Sequence, residues 1–234
     1  MERFTGHLYS VEQFEGDVLE AALNELVQIP DESFDLLQNP FEKKLTLHDV
    51  KSLSLPLEII IQQLELQWCI WAEDAFGVKL KPDQSRHYCS VFKYLPGGFL
   101  SCHVDAGIHP LNGARKHITT ILYLGEVDEG GELELWGGYS KAPTGPVIFI
   151  KPEHGKLVLF ENNPVSWHAV SECLGKKPRY VITVSYLSQE LEKWHQRQRA
   201  YFAPRPMEEW DEEQFKLRDL RADRERFAEV YRTE

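Results

Sequence analysis

From residue 86 to residue 187 the chain breaks into short runs of β-branched and aromatic residues, and this segmentation constrains its fold more than any other feature. The pattern predicts strands over 86–95, 99–105, 117–124, 131–136, 146–150, 156–161, 166–171 and 179–187. Turn signals separate them at Pro96-Gly97-Gly98, Gly130-Gly131, Gly137-Gly138 and from Pro152 to Gly155. Helical patterns come before and after this block instead of alternating with it. A doubly wound parallel sheet needs that alternation, so the expected architecture is a sandwich or jelly roll.

Before the block, apolar residues fall at helical spacing over 16–28, ending at Pro30, and over 56–76. The second run carries Leu57, Ile60, Ile61, Leu64, Trp68, Trp71 and Phe76, a stripe suited to packing a helix on a sheet. After the block, the tail 189–234 is charge-rich and mostly helical in pattern, with a break at Pro204-Arg205-Pro206. Its expected place is a cover on the core. Tyr201, Phe202, Trp210 and Phe215 also allow a lid or a homodimer contact. The fold expected is therefore mainly β with flanking helices. One domain spans 1–188, with N-terminal helices in 1–85 packed on the sheet and the β core in 86–188, and a helical extension follows in 189–234.

Composition removes several partners. A net charge of −11 disfavours nucleic acid, which is bound first through phosphate neutralisation, and disfavours an anionic membrane surface for the same reason. The N-terminus shows no basic-then-apolar signal pattern, and the most apolar stretch, 55–76, is interrupted by Gln62, Gln63, Glu65, Gln67, Glu73 and Asp74. Cys69, Cys89, Cys102 and Cys173 show no paired spacing, which suits reduced thiols in a cytoplasm and argues against a zinc site through cysteine.

The chemistry concentrates in Phe99-Leu100-Ser101-Cys102-His103-Val104-Asp105. Side chains alternate along a strand, so His103 and Asp105 face the same side and Cys102 the other. A lone His-X-Asp is equally a hydrogen-bonded strand pair. What singles this one out is the ordered set Tyr94, His103, Asp105, Tyr123, His168 and Arg179, all on strand-like segments. Two histidines and one carboxylate on one face of a metal suit iron(II) and leave three positions open. In 179–187, Arg179, Val181, Thr183 and Ser185 share one face and Tyr180, Ile182, Val184 and Tyr186 the other. The other histidines read as structural or exposed, with His117 the one to watch because it begins the Tyr123 strand.

These segments resemble the prolyl-4-hydroxylase-like branch of the iron(II)- and 2-oxoglutarate-dependent dioxygenases. The matching stretches run from Tyr94 to Asp105, from Ile118 to Leu124, from Gly130 to Leu133, and from Leu157 through His168 to Arg179 and Tyr186, within about 86–188. The resemblance implies a double-stranded β-helix (jelly-roll) core and Fe(II), 2-oxoglutarate and O2 as the reacting set, with ascorbate as a further cofactor. It implies that His103, Asp105 and His168 hold the iron. Arg179 would bind the distal carboxylate of 2-oxoglutarate, with Tyr123, Tyr94 and Thr183 beside it. Ser185 stands where some relatives carry a bulky aromatic, which implies a roomier pocket near the metal.

The function expected is oxidation of an unactivated C–H bond in a small molecule, such as an amino acid or a specialised metabolite. The alternatives are a peptidyl (prolyl-type) hydroxylase acting on a protein, and a non-catalytic jelly-roll module that retains the metal.

Overall fold

Alternation of side chains governs the centre of the molecule. A computed structural model describes residues 1–47, 53–139, 141–189 and 197–222. In chain order the elements are β1 (Glu2–Phe4), β2 (His7–Gln13), α1 (Val18–Gln28), β3 (Asp35–Asn39), β4 (Glu42–Leu47), α2 (Leu55–Gln63), α3 (Cys69–Phe76) and β5 (Lys81–Pro82). Then come β6 (Ser90–Tyr94), β7 (Phe99–Val104), β8 (Arg115–Leu124), β9 (Leu133–Tyr139), β10 (Ala142–Ile150), β11 (Lys156–Glu161), β12 (Trp167–Val170) and β13 (Arg179–Ser188). The tail adds β14 (Tyr201–Phe202) and α4 (Glu212–Ala222).

Every residue of β8 is buried, because both faces of the sheet are covered there. On the outer face, Ile118, Leu122, Leu124, Tyr180, Ile182, Val184 and Tyr186 pack against Leu19, Leu26, Leu57, Ile60 and Ile61 of α1 and α2. On the inner face, Ile121, Tyr123, Val181, Tyr94, Leu133 and Val170 enclose the inside of the curl. The odd-and-even split along β13 therefore falls as its sequence indicates. The strand order β1-β2-β11-β8-β13-β6-β4-β7-β12-β9-β10 is antiparallel throughout and curls on itself as a jelly roll.

Four features depart from the sequence pattern. The N-terminal part holds strands as well as helices: β2 pairs with β11, and β4 enters between β6 and β7. Strand β4 is hidden in Glu42-Lys43-Lys44 because its buried charges pair with each other instead of being replaced by apolar residues. Gly137-Gly138 is not a turn but lies inside β9. A Cβ on Gly138 would come within 2.8 Å of Trp167, and one on Gly137 within 2.6 Å of the Thr5 hydroxyl, so close approach explains these glycines. The run 86–95 begins as a turn, where Arg86, at φ 55°, forms double ion pairs with Glu58 and Glu65 and fastens α2 to the mouth of the core. Finally, a π-helical turn at Leu64–Trp68 joins α2 to α3, and the buried Tyr186 hydroxyl donates to the Leu64 carbonyl (2.7 Å).

The tail, expected to be mostly helical, holds an extended piece before its helix. β14 pairs with β7, setting Phe202 opposite His103, and the Ala203 amide donates to the Cys102 carbonyl. Phe41, Phe202, Trp210 and Leu217 then form an aromatic cluster that seats α4 on the core. Residues 190–196 and 223–234 of the expected helical extension lie outside the described residues.

Candidate metal and cosubstrate site

Pairing of β12 with β7 sets His168 directly opposite His103, with ring centroids 4.2 Å apart. Each imidazole gives its Nδ1 hydrogen to a backbone carbonyl two residues back: His103 to Ser101 and His168 to Ser166, both at 2.9 Å. A carbonyl can only accept, so Nδ1 carries the proton and Nε2 presents its lone pair. Asp105, just past the end of β7, brings Oδ1 to 3.6 Å from His103 Nε2 and 3.9 Å from His168 Nε2. The three donor atoms lie within 4.8 Å of one another, the sole such His/Cys/Asp/Glu cluster among the described residues.

Electrostatics favour metal binding over protonation. Burial, reinforced by His103, pulls His168 down from 6.5 to about 3, so the ring is neutral near pH 7. Burial alone would raise the Asp105 carboxyl. Lys116 and the two histidines together outweigh it and hold the group well below the ordinary carboxylate range. Two imidazoles and one carboxylate, with their outer atoms already hydrogen-bonded, fit a divalent iron ion.

A cavity of about 360 Å³ runs from this cluster to Arg179. The Arg179 guanidinium is buried and stacked over Tyr94 (4.8 Å) and Tyr123 (5.0 Å). Arg179 Nε and the Tyr123 hydroxyl are buried without a hydrogen-bond partner in the protein. Burial raises the Tyr123 pKa against the pull of Arg179, so the phenol keeps its proton as a donor. The guanidinium fork of Arg179 and the unpartnered Tyr123 hydroxyl suit a carboxylate. Thr183 lines the same cavity, but its hydroxyl is directed at the Ser90 carbonyl (3.4 Å). Ser185 also lines it.

Sequence reasoning brought these residues together but missed others. Lys116 and Thr119 hold Asp105 Oδ2 at 2.6 and 3.0 Å. Strand parity from Tyr123 places His117 inward, yet a bulge at His117 turns Lys116 inward instead. His117 is held between Ser188 and Glu161, away from the cluster. Glu42 and Lys44 of β4, the turn residues His87 and Tyr88, and Gln198, Arg199, Ala200 and Arg221 of the tail complete the wall. No local motif marks them; the pairing of β4 and of β14 with β7 brings in the β4 and tail residues. Trp167 is buried and bonded to the Tyr139 carbonyl, while Tyr139 itself is exposed.

Glu42 accepts from both Lys44 (3.0 Å) and Arg221 (2.5 Å), tying the tail to the N-terminal strand. Burial would raise its pKa, but the two cations hold it below the ordinary carboxylate range. A depressed pKa contributes stability above the unfolded value of about 4.3, and that contribution is lost as the pH falls below it. Glu42→Gln is expected to cost about 3–5 kcal/mol at neutral pH, since both cations stay buried. It also flattens the acid side of the stability profile, read as urea midpoints from neutrality down to about pH 3.

A jelly roll holding a His-Asp-His cluster at one end and a buried arginine further in defines a class of metal-dependent oxygenase fold. Residues 89–186 match the family model of the 2OG-Fe(II) oxygenase superfamily and form an oxygenase domain of that family. Its reacting set is Fe(II), 2-oxoglutarate and O2, which makes the protein an Fe(II)/2-oxoglutarate-dependent dioxygenase by class. A search of curated protein sequences returns no significant match. Among solved structures, a prolyl-4-hydroxylase from Pseudomonas putida is similar at TM-score 0.62 and 18% identity, over 79% of this chain and 95% of that one. The alpha-ketoglutarate-dependent epimerase SnoN of nogalamycin biosynthesis is similar at TM-score 0.60 and 13% identity, over 79% of each chain. HygX from Streptomyces hygroscopicus, solved with nickel and 2-oxoglutarate, is similar at TM-score 0.55 and 13% identity, over 81% of this chain and 85% of that one. At these identities the likeness is one of fold.

Proposed function

We propose that the protein oxidises an unactivated C–H bond of a small molecule, such as an amino acid or a specialised metabolite, while 2-oxoglutarate becomes succinate and CO2. The observation that carries the substrate class is the wall of the cavity. The chain's own tail crosses it through Gln198, Arg199, Ala200 and Arg221, and β4 closes the side next to it. A peptide substrate needs an open groove, and here the groove side is taken by β14 pairing with β7. Solved structures with this fold include small-molecule enzymes of nogalamycin biosynthesis as well as prolyl hydroxylases, so the fold is compatible with either class.

In this reading His103 Nε2, His168 Nε2 and Asp105 Oδ1 hold the iron, and Arg179, Tyr123, Tyr94 and Thr183 receive 2-oxoglutarate. Bound iron(II) supplies oxygen activation and the oxidising power for the C–H bond. The chain supplies orientation. The two backbone carbonyls fix the imidazole planes, and the arginine fork compensates a carboxylate taken out of water, which is costly without a partner. Aromatic and aliphatic walls keep bulk water from the reacting end. A non-catalytic metal-binding module has no use for a buried arginine and tyrosine with unpaired donors, which favours the enzymatic reading. Among the described residues of the tail, Phe202 and Trp210 pack on the chain's own core, which supports a cover rather than a dimer contact. No helix among the described residues is long and apolar enough to cross a membrane. The four buried, unpaired thiols suit a reducing cytoplasm.

Succinate release over a panel of amino acids, small metabolites and proline-containing peptides tests the substrate class. The expected outcome is release above the uncoupled background with a small molecule. Turnover of peptides alone contradicts it.

A further inference from the structure

We infer that Lys116 is a positioning residue for the metal: its ammonium, with the Thr119 hydroxyl, captures the outer oxygen of Asp105 so that the carboxylate offers iron one oxygen only. The inference rests on the metal reading above and goes beyond it, since the His-X-Asp pattern assigns Lys116 no part in the site.

Asp105 Oδ2 accepts from Lys116 Nζ at 2.6 Å and from Thr119 Oγ1 at 3.0 Å, while Oδ1 faces both histidines. A carboxylate free at both oxygens can chelate a divalent ion and occupy two positions. One tied on Oδ2 would fill a single position and so leave room beside the two histidines for cosubstrate and oxygen. The ammonium also offsets the charge of a carboxylate that sits deep in the cavity wall.

The surrounding structure holds Lys116 in this pose. Lys116 is 6% exposed, and its Nζ lies 4.9 Å over the Tyr88 ring. The Tyr88 hydroxyl in turn donates to the Ile108 carbonyl at 3.0 Å. The bulge at His117 is what turns Lys116 inward, and it is locked on both sides. His117 bridges Ser188 and Glu161, and the Asn162 amide donates to the Lys116 carbonyl at 3.1 Å. A bulge that re-aims one side chain beside a reactive centre is a recurring use of this distortion.

The test is titration of the metal-free protein with Co(II), followed by its visible d–d bands, for wild type, Lys116→Met, Lys116→Gln and Thr119→Val. Loss of an outer partner of a metal ligand typically weakens binding about 10- to 100-fold, and Lys116→Met is expected in that range with altered bands. Lys116→Gln, which keeps a donor, should lose less. Lys116→Met with the wild-type melting temperature, affinity and bands overturns the inference. Should that variant not fold, Thr119→Val decides: weaker Co(II) binding supports the inference, and unchanged binding with unchanged bands overturns it. Absence of Co(II) binding by the wild type is a different failure, because it removes the metal site itself.

Discussion

Replacing His168 by alanine is expected to abolish turnover, with a loss beyond the roughly hundredfold that removing a mere outer partner of a metal ligand costs. The reason is positional. His168 and His103 are direct cross-strand partners, and both Nε2 atoms converge on Asp105 Oδ1. Two remaining ligands cannot fix an ion in a pocket where the third was held by its own backbone hydrogen bond. The imidazole is neutral and buried, so its removal takes away no ion pair, and the variant is expected to stay folded. Succinate release and bound iron, measured on the same preparation, check this. A folded His168→Ala protein with wild-type iron content and turnover contradicts the ligand assignment.

The second large effect falls on the cosubstrate. Arg179→Ala is expected to raise the 2-oxoglutarate requirement steeply while leaving iron affinity nearly unchanged. Truncating one partner of a buried, hydrogen-bonded charge pair costs about 2–5 kcal/mol, which is about 30-fold to several thousandfold in apparent affinity. Tyr94 and Tyr123, which sandwich the guanidinium, keep the cavity shaped but carry no positive charge. Arg179→Lys should fall between, since it keeps charge and loses the planar fork. The KM for 2-oxoglutarate against iron-binding curves separates the roles. Equal and mild effects from Arg179→Ala and His168→Ala contradict both assignments.

The two halves of the site were unequally legible. Strands β6, β8, β11 and β13 are readable because one face of each packs on helices and the other faces the inside of the curl, so alternation survives in the sequence. The His103–Asp105 pair and the inward face of Arg179 follow from that period alone. Strand β4 escaped because Glu42 and Lys44 satisfy each other and break the apolar signature on which strand recognition relies. Lys116 escaped for a different reason: a one-residue bulge inverts parity at the strand's start, and no local residue announces it. Gly137 and Gly138 misled because a glycine needed for close approach looks the same as one needed for a turn. The contribution of the tail to the cavity depends on pairing between segments far apart in the chain, such as Phe202 with His103, which periodicity does not report.

Anaerobic addition of Fe(II) and 2-oxoglutarate to the metal-free protein tests most directly whether ligands from β7 and β12 and a counter-ion from β13 serve one centre. The expected result is a weak visible charge-transfer band that needs both additions, saturates at one equivalent of each, and disappears in His168→Ala. In Arg179→Ala the band should return only at much higher 2-oxoglutarate. No band from folded wild-type protein at saturating iron and 2-oxoglutarate contradicts the assignment.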